Sequence, residues 1–175
     1  EVGRFQPEEG QLSCLPTDPG YFVDTRGASE QSSCVPGHFQ DQVGQSTCLE
    51  ASPGYFVEES KAASQDPCER GNFNPLSAQI ECLPADKGRF VDATASIYLT
   101  KCFLVTYSDR TGLSTCFKAP IGFFVDKRGA TKPQQCPNTD FPQQTGLSSC
   151  EPIAPSDFDG SFLPAIDLLL ETEEI

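Results

Sequence analysis

The apolar positions along this chain do not follow a helical period. They recur as short extended snatches between turn residues. An aromatic residue returns every 17 positions, at Phe5, Phe22, Phe39, Phe56, Phe73, Phe90, Tyr107, Phe124, Phe141 and Phe158. Gly stands two residues before it at Gly3, Gly20, Gly37, Gly54, Gly71, Gly88 and Gly122. A second Gly stands five residues after it at Gly10, Gly27, Gly44, Gly112, Gly129 and Gly146. Glycine admits positive φ at a turn. Each stretch therefore predicts a turn, a short strand such as Tyr21-Phe22-Val23-Asp24, a second turn and a return. No 3.6-residue apolar period survives the Gly and Pro punctuation, so helix is not expected within the repeats.

The cysteines set a longer period. They stand at 14, 34, 48, 68, 82, 102, 116, 136 and 150, with spacings alternating between 20 and 14. The repeat is thus 34 residues long and contains two 17-residue halves. In one kind of half the cysteine follows the aromatic by nine residues, as in Phe39 to Cys48. In the other it follows by twelve, as in Phe56 to Cys68. No half can bury its aromatic alone, so successive halves are expected to stack and give each ring a neighbour. The fold class expected is all-β or irregular. It consists of small disulfide-rich repeats forming an elongated rod of ten half-repeats over residues 1–158.

Composition explains the cysteines. Leu, Ile, Val and Phe make up only 40 of 175 residues, Trp and Met are absent, and Gly and Pro number 14 and 15. So little apolar surface hardly offsets the entropy of ordering. Covalent staples are the remedy, which points to an oxidising, extracellular setting. Two pairings between neighbours are open. One closes the 14-residue spacings, Cys34–Cys48, Cys68–Cys82, Cys102–Cys116 and Cys136–Cys150, and leaves Cys14 unpaired or intermolecular. The other closes the 20-residue spacings and leaves Cys150 alone. The first is favoured because each staple then encloses one turn-strand-turn unit, and the partner of Cys14 would fall just before residue 1. Loop length alone does not choose, since 14 against 20 changes the closure entropy by only a few tenths of a kcal/mol.

The run Cys-x-x-Gly-x-Phe with a Gly-x-x-x-Cys close, as at Cys34 to Cys48, resembles the ephrin-receptor-like cysteine-rich repeat, which is related to the modules of tumour necrosis factor receptors. The resemblance covers about residues 1 to 150. It departs from the family in lacking Cys-x-x-Cys junctions. It implies an extracellular, elongated, disulfide-linked stalk without catalytic activity.

Charge narrows the partners. The net charge is −13, which argues against nucleic acid. After Lys132 there is no Lys or Arg, yet eight acids follow. No run approaches the roughly 20 apolar residues of a membrane span. The opening Glu1-Val2-Gly3-Arg4 is not a signal peptide, so a mature or trimmed form is expected.

Catalytic chemistry finds little to use. The single histidine, His38, precedes its aromatic at a position that elsewhere holds Arg4, Tyr21, Tyr55, Asn72, Arg89, Thr106, Phe123, Asp140 and Asp157. Such variety reads as a surface position, and no enzymatic role is expected. No Cys-x-x-Cys occurs, so zinc is not expected. One acid per repeat follows the aromatic and a Val, at Asp24, Glu58, Asp92 and Asp126. These read as turn-capping carboxylates or as a sparse Ca²⁺ or partner-binding row. Asp157 and Asp159 are weak Ca²⁺ candidates, and no other cofactor is indicated. Ser and Thr beside the cysteines, such as Ser46-Thr47, Ser114-Thr115, Ser148-Ser149 and Ser32-Ser33, are candidates for O-linked sugars. No Asn-x-Ser/Thr sequon exists.

Residues 159–175 break the repeat. Phe162, Leu163, Ile166, Leu168, Leu169 and Leu170 form an apolar tail. It reads either as a cap on the last repeat or as an assembly element docking on another subunit. The expected function is an extracellular structural subunit of a surface filament, sheath or coat, joined by contacts between copies of itself. Other surface proteins or glycans are secondary partners. The alternative is a receptor or adhesin stalk that binds a protein ligand.

Overall fold

The computed structural model describes residues 1–137 and 144–150. These residues contain no helix and fold into two-stranded antiparallel hairpins. Strand β1 (Arg4–Phe5) pairs with β2 (Leu15–Pro16), β3 (Tyr21–Phe22) with β4 (Ser32–Ser33), β5 (His38–Phe39) with β6 (Leu49–Glu50), and β7 (Tyr55–Phe56) with β8 (Asp66–Pro67). Strand β9 (Asn72–Phe73) then pairs with β10 (Leu83–Pro84), β11 (Arg89–Phe90) with β12 (Thr100–Lys101), β13 (Thr106–Tyr107) with β14 (Phe117–Lys118), and β15 (Phe123–Phe124) with β16 (Gln134–Gln135). Each hairpin is one 17-residue unit, starting with 1–17 and ending with 120–136. Positions within a unit are counted from 1 to 17 below, so that the glycine is position 3 and the aromatic position 5.

Backbone hydrogen bonds lace each unit to the next two. Gly20 N–H donates to the Gln40 carbonyl at 2.7 Å, and Val23 N–H to the Gln45 carbonyl at 3.1 Å, both one unit on. Lys61 N–H donates to the Cys34 carbonyl at 2.9 Å, two units back. The same three bonds repeat along the described chain, for example at Gly54, Val57 and Ala95. They satisfy the loop backbone that two-residue strands leave over.

The core is not a stack of rings. The series from Phe5 to Phe124 is half-buried throughout. Among the described residues the close ring pairs are Phe90–Phe103 and Tyr107–Phe117, each 5.9 Å between centroids. Neither joins two members of the 17-residue series, so the expected ring-on-ring spine is not formed. The deepest positions are small. Position 17 holds Thr17, Cys34, Ala51, Cys68, Ala85, Cys102, Ala119 and Cys136, all buried. Position 6 of alternate units holds Val23, Val57, Val91 and Val125, also buried. The layers approach too closely to admit a ring between them.

Position 3 shows why. A Cβ added at Gly54, which has φ +86°, would overlap the carbonyl oxygen of Ala95 two units on, and the glycines at 3, 20, 37, 71 and 88 face the same obstacle. Position 10 differs. It also takes positive φ, but Lys61, Ala78 and Ala95 occupy it with φ of 65°, 57° and 53°. A Cβ at Gly10 or Gly27 meets nothing within 4 Å. The first glycine is therefore required by contact and conformation, the second by conformation alone.

The bridges join Cys34–Cys48, Cys68–Cys82, Cys102–Cys116 and Cys136–Cys150, with Cα–Cα separations of 5.6 to 5.8 Å. This is the 14-residue pairing. Each links position 17 of one unit to position 14 of the next, and the first three span the first strand and loop of a hairpin whose second strand directly follows the second cysteine. On the chain-entropy model a loop of this size contributes roughly 3 kcal/mol. Gly54→Ala should destabilise the array by several-fold more than Gly27→Ala, which carries only the φ penalty of about 1 kcal/mol. Chemical denaturation of the two oxidised variants measures the difference, and equal losses would contradict the close-approach account.

Candidate interaction surface

The bridged and unbridged units differ in a regular way. In the enclosed units position 6 is polar, at Gln40, Asn74 and Ser108, and each is buried. Its side chain ties the loop that the bridge closes. Gln40 Nε2 donates to the Thr47 carbonyl at 2.8 Å, Asn74 Nδ2 to the Glu81 carbonyl at 3.0 Å, and Ser108 Oγ to the Arg110 carbonyl at 2.7 Å. The alternate units have no bridge, and glutamine takes the place of the second cysteine in two of them. Gln31 Oε1 accepts from Asp18 N–H at 2.8 Å while its Nε2 donates to Asp18 Oδ2 at 2.7 Å. Gln65 Oε1 accepts from Ser52 N–H at 2.6 Å. A side-chain amide thus fastens position 14 to position 1, the residue next to the one that a disulfide fastens to position 14 one unit away. Leu99 and Pro133 hold this place in the remaining two units.

Alternation also sorts the surface. In the bridged kind of unit the aromatic faces an apolar partner across the hairpin: Phe5 opposite Leu15, Phe39 opposite Leu49, Phe73 opposite Leu83 and Tyr107 opposite Phe117. Leu15, Leu49 and Leu83 are each almost half exposed, and Phe117 is 36% exposed. In the other kind the partner is Ser32, Asp66, Thr100 or Gln134. A row of exposed apolar side chains therefore recurs every 34 residues. Sequence reasoning missed it, although its mark is plain: each of these residues directly follows a cysteine.

The other candidate residues lie apart from this row. Asp24, Glu58, Asp92 and Asp126 are all exposed. Among the described residues Asp126 accepts a bond from Gln134 Nε2 at 2.9 Å, and the other three accept none from the loop backbone. The expectation of turn caps fails: the bonded N–H groups in these loops, those of Lys61, Ala95 and Gly129, reach carbonyls two units back rather than the carboxylates. No group of three or more His, Cys, Asp or Glu is placed to hold a metal ion among the described residues. His38 is half-buried rather than on the open surface, with its Nδ1 enclosed and without a partner among the described residues. Cys14 matches Cys48, Cys82 and Cys116 in register and is a free, exposed thiol. Thr47, Ser114, Thr115, Ser148 and Ser149 are exposed, whereas Ser33 and Ser46 are partly covered. Asp157, Asp159 and the tail residues Phe162, Leu163, Ile166, Leu168, Leu169 and Leu170 lie outside the described residues. No helix among the described residues is long and apolar enough to cross a membrane.

No protein-family model matches this chain, and no curated protein matches it either.

The relation between the amide and disulfide fastenings can be tested directly. Ala51 and Gln65 occupy the places of Cys34 and Cys48. Ala51→Cys with Gln65→Cys should form a fifth bridge on oxidation and raise stability by about 2–3 kcal/mol. Non-reducing peptide mapping and denaturant titration report both effects. Gln65→Ala alone should cost about 1 kcal/mol through the orphaned Ser52 N–H.

Proposed function

We propose that this chain is an extracellular structural repeat protein, an elongated rod that serves as a subunit of a surface filament, sheath or coat built by contacts between its own copies. The observation that carries the reading is the periodic apolar row at Leu15, Leu49, Leu83 and Phe117. A row with the period of the fold can meet the same row on a second copy, and repetition multiplies a weak contact into a stable one. Exposed apolar side chains at this regularity mark interaction surfaces more than they mark chance.

Three further features support it. Backbone hydrogen bonds among the described residues span at most 27 positions in sequence, the quasi-one-dimensional connectivity of a solenoid. Four bridges suit an oxidising compartment. The charge of −13 keeps such a rod soluble before it assembles. The resemblance to receptor cysteine-rich repeats belongs to the same proposal, as does the absence of catalysis.

Leu49→Glu with Leu83→Glu tests the reading, since both sites are exposed and the fold should tolerate them. Sedimentation velocity of the oxidised full chain should show concentration-dependent association that the double variant weakens by about tenfold or more. A full chain that stays monomeric at every attainable concentration sinks the filament reading and leaves the receptor or adhesin stalk.

A further inference from the structure

This acidic chain carries a concentrated basic face. Residues 101–132 hold six of the twelve Lys and Arg and only two acids, Asp109 and Asp126. Folding sharpens the concentration. Arg89 and Lys101 are direct cross-strand partners in the hairpin of β11 and β12. Like charges so placed repel, and no other described hairpin pairs two cations. The Arg128 guanidinium lies over the Phe103 ring, 5.5 Å from its centroid, and Phe103 lies 5.9 Å from Phe90. The Lys101 stem runs beside Gly129, the residue after Arg128. Arg128, from the unit two on, thus lies on one ring of this pair, and the Lys101 stem of the like-charge pair passes the residue next to it. Among the described residues none of Arg89, Lys101 and Arg128 has a carboxylate within 4.0 Å.

Apolar surface accompanies the charge: Phe103, on which Arg128 lies, is 52% exposed, and its chain neighbour Leu104 is 48% exposed. Inorganic anions would use the charges and leave the rings wet. An acidic, apolar peptide uses both.

Such a peptide is present in the chain. After Lys132 the sequence has eight acids and no cation, and residues 161–175 interleave Phe162, Ile166 and Leu168-Leu169-Leu170 with Asp167, Glu171, Glu173 and Glu174. Its tether is short. Cys150 is bridged to Cys136, eight residues beyond Arg128. Phe162 follows Cys150 by twelve residues, which reach up to about 40 Å at full extension. A segment so tethered has an effective concentration of about millimolar at a nearby face, so its own chain outcompetes a second copy. We propose that residues 161–175 dock on the Arg89–Lys101–Arg128 face of their own chain. The acids neutralise the like-charge pair, and the leucines cover Phe103 and Leu104. The tail then caps the array in cis, and the proposal does not depend on how copies of the rod associate.

Hydrogen exchange over residues 161–175, read by mass spectrometry on the oxidised full chain at low salt, tests it. The wild type should exchange there on the order of tenfold more slowly than a free peptide, independently of protein concentration. Protection should be lost in K101E/R128E. It should also be lost in E171Q/E173Q/E174Q, which leaves the array untouched and so excludes misfolding as the cause. Combining K101E/R128E with E171K/E173K/E174K should restore it. Free-peptide exchange in the wild type would overturn the proposal. So would protection that grows with protein concentration, which means a second copy is the occupant. Protection that survives K101E/R128E with all four bridges intact would place the tail elsewhere and overturn it too.

Discussion

The contact on which the architecture depends is the approach of each position-3 backbone to the position-10 carbonyl two units later. There is no room for a Cβ at that point. It fixes unit length, because one added residue between the two would carry the carbonyl away from its glycine and break the bonds that flank it. The aromatic spacing accordingly stays at 17 without an insertion from Phe5 to Phe158. Val105 is the exception in the described chain. It takes the glycine's conformation at φ 65°, and its N–H bond to Val125 is 3.2 Å, against 2.7 to 2.9 Å at the six preceding glycines. One such substitution is tolerated where the bridge Cys102–Cys116 encloses the unit that carries it.

Covalent and hydrophobic stabilisation alternate along the array. Where a bridge encloses the unit, position 6 is a buried polar side chain that ties its own loop. In the alternate units, from 18, 52, 86 and 120, position 6 is a buried valine; the first unit keeps the polar plan with Gln6, although its Cys14 is unpaired. The magnitudes suit the exchange. A buried valine contributes about 1.5–2 kcal/mol, and a bridge of this loop size contributes roughly 3 kcal/mol. A unit with the bridge can therefore spend position 6 on a hydrogen bond and still leave an apolar residue exposed at position 15. A unit with valine keeps position 15 polar. The exposed apolar residue thus accompanies the polar position 6, in the first unit as well, where Gln6 and Leu15 occur without a bridge.

This explains what could be read from the sequence and what could not. The 17- and 34-residue periods, the hairpin per unit and the absence of helix were legible, because Gly, Cys and aromatic residues mark backbone requirements that few other residues meet. The burial order was not. Phe5 to Phe124 look like a core by residue type, yet small side chains win the interior because the layers sit too close together for rings. Lys61, Ala78 and Ala95 hide the second turn for a related reason. Their backbone is left-handed, but a Cβ at position 10 meets no closer than ordinary contact where glycine stands there, so a side chain is tolerated. Asp24, Glu58 and Asp92 looked like caps because their loops appeared to need donors satisfied. The N–H groups of Lys61 and Ala95 instead reach carbonyls two units back, which local reasoning cannot see. Gln31 and Gln65 read as ordinary polar residues until they were aligned with Cys48 by register.

A scaffold held by its backbone and its staples asks little of its surface. Position 4 shows this: Arg4, Tyr21, His38, Tyr55, Asn72, Arg89, Thr106 and Phe123 all occupy the first strand of a hairpin without changing its register. Residues free of structural duty can be set by partners alone. Against that background, a departure that costs energy is informative. The opposed Arg89 and Lys101 repel each other in a fold that accepts almost anything at position 4, so stability does not account for them. The pair stands in a chain whose last 43 residues carry no positive charge, so an acidic segment of the same chain is available to offset it. The interior of the array thus specifies the fold and leaves its rows and faces unconstrained.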